Sequence, residues 1–167
     1  CYAMKCGERW RGTPGHYFEK GFDITLRQNK LLEPIKWRKP KKIFVNSMSD
    51  LFHKDIPEWY IDQVFGVMLA NHVLDRQAEH TFQLLTKRPD RMRDYLGAGA
   101  DVLLKRWSES LDGVVIMDDP DVLFSEYVDG FLDHEDFFPL PNVWLGVSVE
   151  NQRAADERIP LLLQTPA

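Results

Sequence analysis

An α/β fold built from parallel β/α units is predicted by three short stretches of the chain. Each is an apolar run of strand-forming residues that stops abruptly in small polar or charged groups. In Lys42 to Asp50, KIFVNSMSD, the run Ile43, Phe44, Val45 gives way to Asn46, Ser47, Ser49 and Asp50. Thr81 to Leu85 ends in Thr86, Lys87 and Arg88, and Val143 to Val147 ends in Ser148, Glu150 and Asn151. Buried parallel strands place ligand-binding side chains at their carboxyl ends in this manner. The three endings are therefore expected on one edge of one sheet.

The remaining elements follow in chain order. Cys1 to Trp10 reads as a helix with apolar Tyr2, Met4, Cys6 and Trp10, stopped by Gly12, Pro14 and Gly15. Phe22 to Leu26, FDITL, reads as a strand on the far side of the Ile43 strand. Leu31, Leu32 and Ile35 mark a short helical or turn segment, and Pro34 and Pro40 keep the basic loop Lys36 to Lys42 irregular. Asp55 and Pro57 signal a helix start, after which Ile61, Val64, Phe65, Met68 and Leu69 recur at helical spacing to about Leu74. Pro89 to Tyr95 reads as a helix with Pro89 at its first position, and Gly97 to Leu104 is weakly helical. Asn151 is placed to cap a last helix from about Gln152, which Pro160 breaks or kinks. This alternation implies parallel pairing through right-handed crossovers.

The net charge of −5 conceals an uneven distribution. Residues Cys1 to Lys42 hold eleven Lys or Arg and four Asp or Glu, whereas Ser108 to Pro141 hold ten Asp or Glu and no Lys or Arg. A basic face suits an anionic partner such as nucleic acid, although a solvated surface explains the same charges. The acidic segment 108–141 reads as an insertion on one β/α unit, peripheral to the sheet. No run of 18 apolar residues is present, so no transmembrane helix is predicted. The chain opens on Cys1 and stops soon after a helical segment, and its 167 residues fall short of the roughly 200 or more of a complete β/α barrel. One incomplete domain over 1–167, truncated at both ends, is the expectation.

Several groups could carry chemistry. Asn46, Ser47, Ser49 and Asp50 offer donors and a carboxylate at a strand end, or they cap the loop that follows. Lys87 and Arg88 suit a carboxylate or phosphate, or they pair with Asp50 or Glu150. In an extended segment only one of the two points inward. Lys87 is favoured, because Arg88 precedes Pro89 and turns outward with the helix start. Glu150 and Asn151 accept from ribose hydroxyls or cap the next helix. A Cys1 thiolate near a helix start suits metal or cluster ligation, with an ordinary thiol as the plainer reading. Cys6, five positions on, reads as core, and His53 and His80 read as structural because no metal-ligand spacing surrounds them.

The strings CYA, KIFVNSMSDLFH, FQLLTKRPDRM and NVWLGVSVENQ with ERIP resemble a bacteriophage and bacterial family of uncharacterised proteins that carry a radical-SAM-like three-cysteine motif. The resemblance spans about Cys1 to Tyr95 and Leu140 to Ala167 and omits the acidic segment. It implies a partial, radical-SAM-like TIM-type barrel in a cytoplasmic protein of a bacterium or phage-infected host. A three-Cys-motif partner protein is implied beside it. It also implies a 4Fe–4S cluster and S-adenosylmethionine as cofactors of the full-length protein, with Cys1 as the last cluster cysteine and the other two upstream. By motif position, Asn46, Ser47, Ser49 and Asp50 would face the methionine moiety or substrate, Lys87 or Arg88 its carboxylate, and Glu150 the ribose. The fragment itself is expected to be inactive. Two readings compete with the radical-SAM enzyme. One is a nucleic-acid-binding phage accessory module that uses the basic N-terminal third, and the other is a non-redox β/α-barrel hydrolase or lyase that uses Asp50, Lys87 and Glu150.

Overall fold

The computed structural model describes residues 2–74, 79–114, 121–130 and 138–166. Three strands, β1 (Lys42–Val45), β2 (Thr81–Thr86) and β3 (Val143–Val147), form a sheet in the order β1-β2-β3. Both pairings are parallel, with Phe44 opposite Gln83 and Gln83 opposite Trp144. The architecture is mixed α/β around a small open parallel sheet, as the three strand endings predicted.

Side chains alternate across this sheet. Phe82, Leu84 and Thr86 of β2 are buried on one face, with Ile43, Val45, Val143 and Leu145 packed against the same core. Phe44, Leu85 and Trp144 lie on the other face and remain about half exposed. Helix α3 (Glu58–Val73) supplies more of the core than any other element. Ile61, Val64, Phe65, Met68 and Leu69 are buried at the predicted helical spacing. Asn142 anchors the start of β3 to this helix through Nδ2, which donates to the Met68 carbonyl at 3.0 Å. Helix α4 (Pro89–Leu96) begins at Pro89 as expected and buries Met92, Tyr95 and Leu96.

Helix α5 (Ala100–Glu109) is a full element rather than a weak one, because Leu103, Leu104 and Trp107 make a buried stripe against α3. Gly66 of α3 allows the close approach: a Cβ there would lie 2.5 Å from the Trp107 carbonyl oxygen. The Phe65 and Trp107 rings stack at 4.9 Å with an interplanar angle of 17°. A polar chain runs beside them, with Trp107 Nε1 donating to Tyr95 Oη at 2.8 Å and Tyr95 Oη donating to Asp62 at 2.6 Å. Burial, and then the Asp62 carboxylate, push the Tyr95 phenol pKa well up, so it stays a donor. Arg106 completes the group, 3.0 Å from Asp62.

The acidic segment begins inside α5. It continues through Leu111 to α6 (Phe124–Asp129), whose Phe124 and Val128 are buried with Leu111 and Leu140 in the core. Residues 115–120 and 131–137, which include most of the apolar patch Val114 to Met117, lie outside the described residues.

Three expectations need correction. Phe22 to Leu26 is irregular and forms no strand beside β1. Two of its backbone donors are spent outside any sheet: Asp23 N donates to the Lys20 carbonyl at 3.2 Å and Phe22 N to Glu8 Oε1 at 2.9 Å. The Arg11 guanidinium bridges Glu8 and Asp23 at 2.6 and 2.8 Å, fixing this segment against helix α1 (Tyr2–Glu8). It also holds the Glu8 carboxyl far below the usual carboxylate range, at about 2. Between this segment and β1, the chain forms helix α2 (Gln28–Leu31) and a single 3-10 turn at Pro34–Lys36. The second correction concerns the last helix, α7 (Gln152–Leu162), which runs two residues past Pro160, so of the expected break or kink the break does not occur. Its start is as read, with Asn151 Oδ1 accepting from Ala154 N at 2.8 Å. The third concerns Arg88 and belongs to the site.

Candidate functional site

The carboxyl ends of the three strands meet at one edge. β1 is followed by a tight turn in which Ser49 N donates to the Asn46 carbonyl at 2.9 Å. Asn46 takes a left-handed backbone conformation, φ 57°, which asparagine tolerates better than most residues. The turn lifts Asn46, Ser47 and Ser49 to the edge, where no hydrogen bond to their side chains is made among the described residues. Asp50 then folds back over the end of β2.

Asp50 accepts four hydrogen bonds. Oδ1 takes Phe52 N at 3.0 Å and Thr86 Oγ1 at 2.8 Å. Oδ2 takes Lys87 N at 3.1 Å and Arg88 Nη1 at 2.7 Å. Thr86 is buried, and its hydroxyl also accepts from Arg88 N at 2.9 Å. The carboxylate thus joins the end of β1 to the end of β2 and to the first residue before α4. Its acceptor capacity is filled by the protein itself.

Arg88 turns inward to Asp50, contrary to the expectation that it would swing out with the helix start. The alternation that separates Lys87 from Arg88 holds, but its sense is reversed. Arg88, with φ −125° and ψ 65°, is kept out of the helical conformation by the proline that follows it. That conformation carries its guanidinium across the Asp50 carboxylate. Lys87 is left on the opposite side, 56 % exposed, with Nζ 3.6 Å from Glu150 Oε1. The two pairings weighed from the sequence are therefore divided, Arg88 with Asp50 and Lys87 with Glu150.

Glu150 is held from a second direction. Arg158, in the second turn of α7, reaches back so that Nη1 donates to Glu150 Oε2 at 2.8 Å and to the Ser148 carbonyl at 2.6 Å. Ser148 N in turn donates to the Thr86 carbonyl at 2.9 Å, extending the β2–β3 ladder by one step. Arg158 and Thr86 were not read as site residues. The signals for Arg158 are its place in the ERIP string and on a helix capped at Asn151, eight residues after Glu150. Arg158, and then Lys87, hold the Glu150 carboxyl below its ordinary range. The Glu150–Arg158 pairing is thus fully present above the ordinary glutamate pKa of about 4.3. It is lost as pH falls through the lowered value. In a carbon-13 titration of the side-chain carboxyl, Arg158→Ala should raise the Glu150 midpoint. An unchanged midpoint would show that Arg158 is not the cause.

Cys1 lies outside the described residues. Cys6 is half-buried in α1. His80 is fully buried, its Nε2 2.9 Å from the Pro34 carbonyl, and His53 Nδ1 accepts from Asp55 N at 3.3 Å. Arg91 secures the loop between β1 and α3, donating to the carbonyls of His53 and Ile56. Among the described residues, no cluster of three or more His, Cys, Asp or Glu side chains could hold a metal ion. Nor is any helix among them long and apolar enough to cross a membrane.

The edge thus combines a closed ionic lock, Asp50–Thr86–Arg88, with an open and accessible pair, Lys87 and Glu150. A set of unpaired small polar groups borders both. No curated protein and no solved structure matches this chain. A family model does, over residues 1–167, under the description "Protein of unknown function (DUF5131)", and the chain belongs to that family.

Proposed function

We propose that the chain is part of a radical-SAM-like β/α enzyme, and that the carboxyl edge of its sheet is where S-adenosylmethionine binds. The observation that carries this reading is the accessible Lys87–Glu150 pair at the ends of two adjacent parallel strands. The Lys87 ammonium suits the methionine carboxylate, and the Glu150 carboxylate suits ribose hydroxyls. Asn46, Ser47 and Ser49 border the same edge with neutral donors and acceptors. Asp50 acts through others: by fixing Arg88 and the Lys87 backbone it holds Lys87 in place. On receiving one electron from a 4Fe–4S cluster, bound S-adenosylmethionine would supply a 5′-deoxyadenosyl radical and release methionine. The chain's two cysteines, Cys1 and Cys6, fall short of the three thiolates that hold such a cluster.

The filled acceptor set of Asp50 weakens the hydrolase or lyase reading, since a carboxylate already taking four donors makes a poor general base. Calorimetric titration of the chain with S-adenosylmethionine tests the proposal. Lys87→Ala should weaken binding by roughly 1.5–3 kcal/mol, the loss of one charge-assisted hydrogen bond. No binding by the unaltered chain, or equal binding by Lys87→Ala, would sink the assignment.

A further inference from the structure

We propose that the open face of the sheet is a binding surface for single-stranded nucleic acid. Trp144 and Phe44 would act as stacking platforms, and Lys42 with Arg38, Lys39 and Lys41 would hold the phosphates. The surface is distinct from the carboxyl edge, and the inference stands whether or not that edge takes S-adenosylmethionine.

The register sets the geometry. Phe44, Gln83 and Trp144 form one row across the three strands, on the face turned away from the core. Two strand spacings separate the aromatic residues by about 10 Å. Phe44 is 49 % and Trp144 51 % exposed, a poor disposition for two large rings on a sheet face unless they meet a partner. The Gln83 amide between them offers both a donor and an acceptor to a base edge. An unpaired strand could set one base on each ring and a third over the amide. Stacking of this kind is tolerant of sequence and favours single strands, whose bases are free to leave their neighbours.

Charge selects the occupant. None of the three strands carries an acidic residue. Lys42 stands on the open face with Nζ 5.3 Å from the Trp144 ring centroid, so a cation already borders the main platform. The segment 36–42, KWRKPKK, leads into β1 at the amino edge with five cations and no acid. Arg38, Lys39 and Lys41 are all exposed, and Lys41 Nζ lies 3.8 Å from the Trp37 ring centroid. A second copy of the chain seated on this face would bring two such loops together, and their like charges oppose that pairing. A polyanion with flat apolar bases satisfies both the charges and the rings.

The test is a fluorescence-anisotropy titration of the chain with a labelled 12-nucleotide oligo(dT), set against a 12-base-pair duplex. Binding should favour the single strand, weaken steeply with salt, and quench tryptophan emission. Trp144→Ala should weaken binding at least fivefold, whereas Trp144→Phe, which keeps a ring, should restore most of it. Lys42→Ala should flatten the slope of log affinity against log salt by about 0.7. Circular dichroism matched to the unaltered chain confirms that the variants fold. Failure to bind the oligonucleotide, preference for the duplex, or equal binding by Trp144→Ala would overturn the proposal. So would self-association that Trp144→Ala abolishes and oligo(dT) leaves unchanged, since the face would then belong to a second copy.

Discussion

Trp107→Ala is expected to destabilise the chain by about 3–5 kcal/mol, the usual cost of truncating a buried large aromatic side chain. The indole is 1 % exposed and stacks on Phe65 of α3, so its removal leaves a cavity between α3 and α5. It also leaves the Tyr95 hydroxyl without its donor, 2.8 Å away in the intact chain. The cavity has little scope to close, because α3 and α5 already approach as nearly as Gly66 allows. Urea denaturation followed by circular dichroism should show a lower midpoint. Trp107→Phe should lose less, because it keeps the stacked ring and forfeits only the indole donor and part of the volume. A loss below about 1 kcal/mol would mean that α5 is a loosely attached helix, and that the core ends at α3.

That α5 matters so much was hidden in the sequence for a local reason. Three residues, Gly97, Ala98 and Gly99, precede it, and its first turn holds exposed Asp101 and Val102. Its buried members Leu103, Leu104 and Trp107 stop just before Ser108, where the acidic composition begins, so the helix itself straddles that boundary. The sheet was easier to read, because apolar runs that end in polar clusters report burial and direction together. Phe22 to Leu26 has similar local preference and failed as a strand for a non-local reason, the Arg11 bridge to Glu8 and Asp23. At the edge, alternation correctly separated Lys87 from Arg88 but could not say which side each takes. That depends on Asp50, which lies 38 residues before Arg88 and is brought over the end of β2 by the turn at Asn46. Arg158 was illegible for the same reason, since its partner Glu150 is reached only after α7 has folded back.

Asp50→Ala is expected to cost about 3 kcal/mol, the low end of the range for breaking a buried ion pair, because Arg88 keeps a third of its side chain in solvent. The Asp50 side chain is 15 % exposed, and four donors lose their acceptor together. Thr86 Oγ1 is the worst placed of them, since the residue is 2 % exposed and water has little access. Much of the penalty comes from the stranded guanidinium, so removing Arg88 as well should recover part of it. A double-mutant cycle with Arg88→Ala should therefore give a coupling of roughly 1–3 kcal/mol. Asp50→Asn should fall between the two, since it keeps one oxygen acceptor and loses the charge. The same variants separate structure from binding. If Asp50 only positions Lys87, Asp50→Asn should weaken S-adenosylmethionine binding less than Lys87→Ala does. A chain that tolerates Asp50→Ala with a loss below about 1 kcal/mol, yet no longer binds the cofactor, would instead make Asp50 a direct ligand group. Arg88 would then be its accessory.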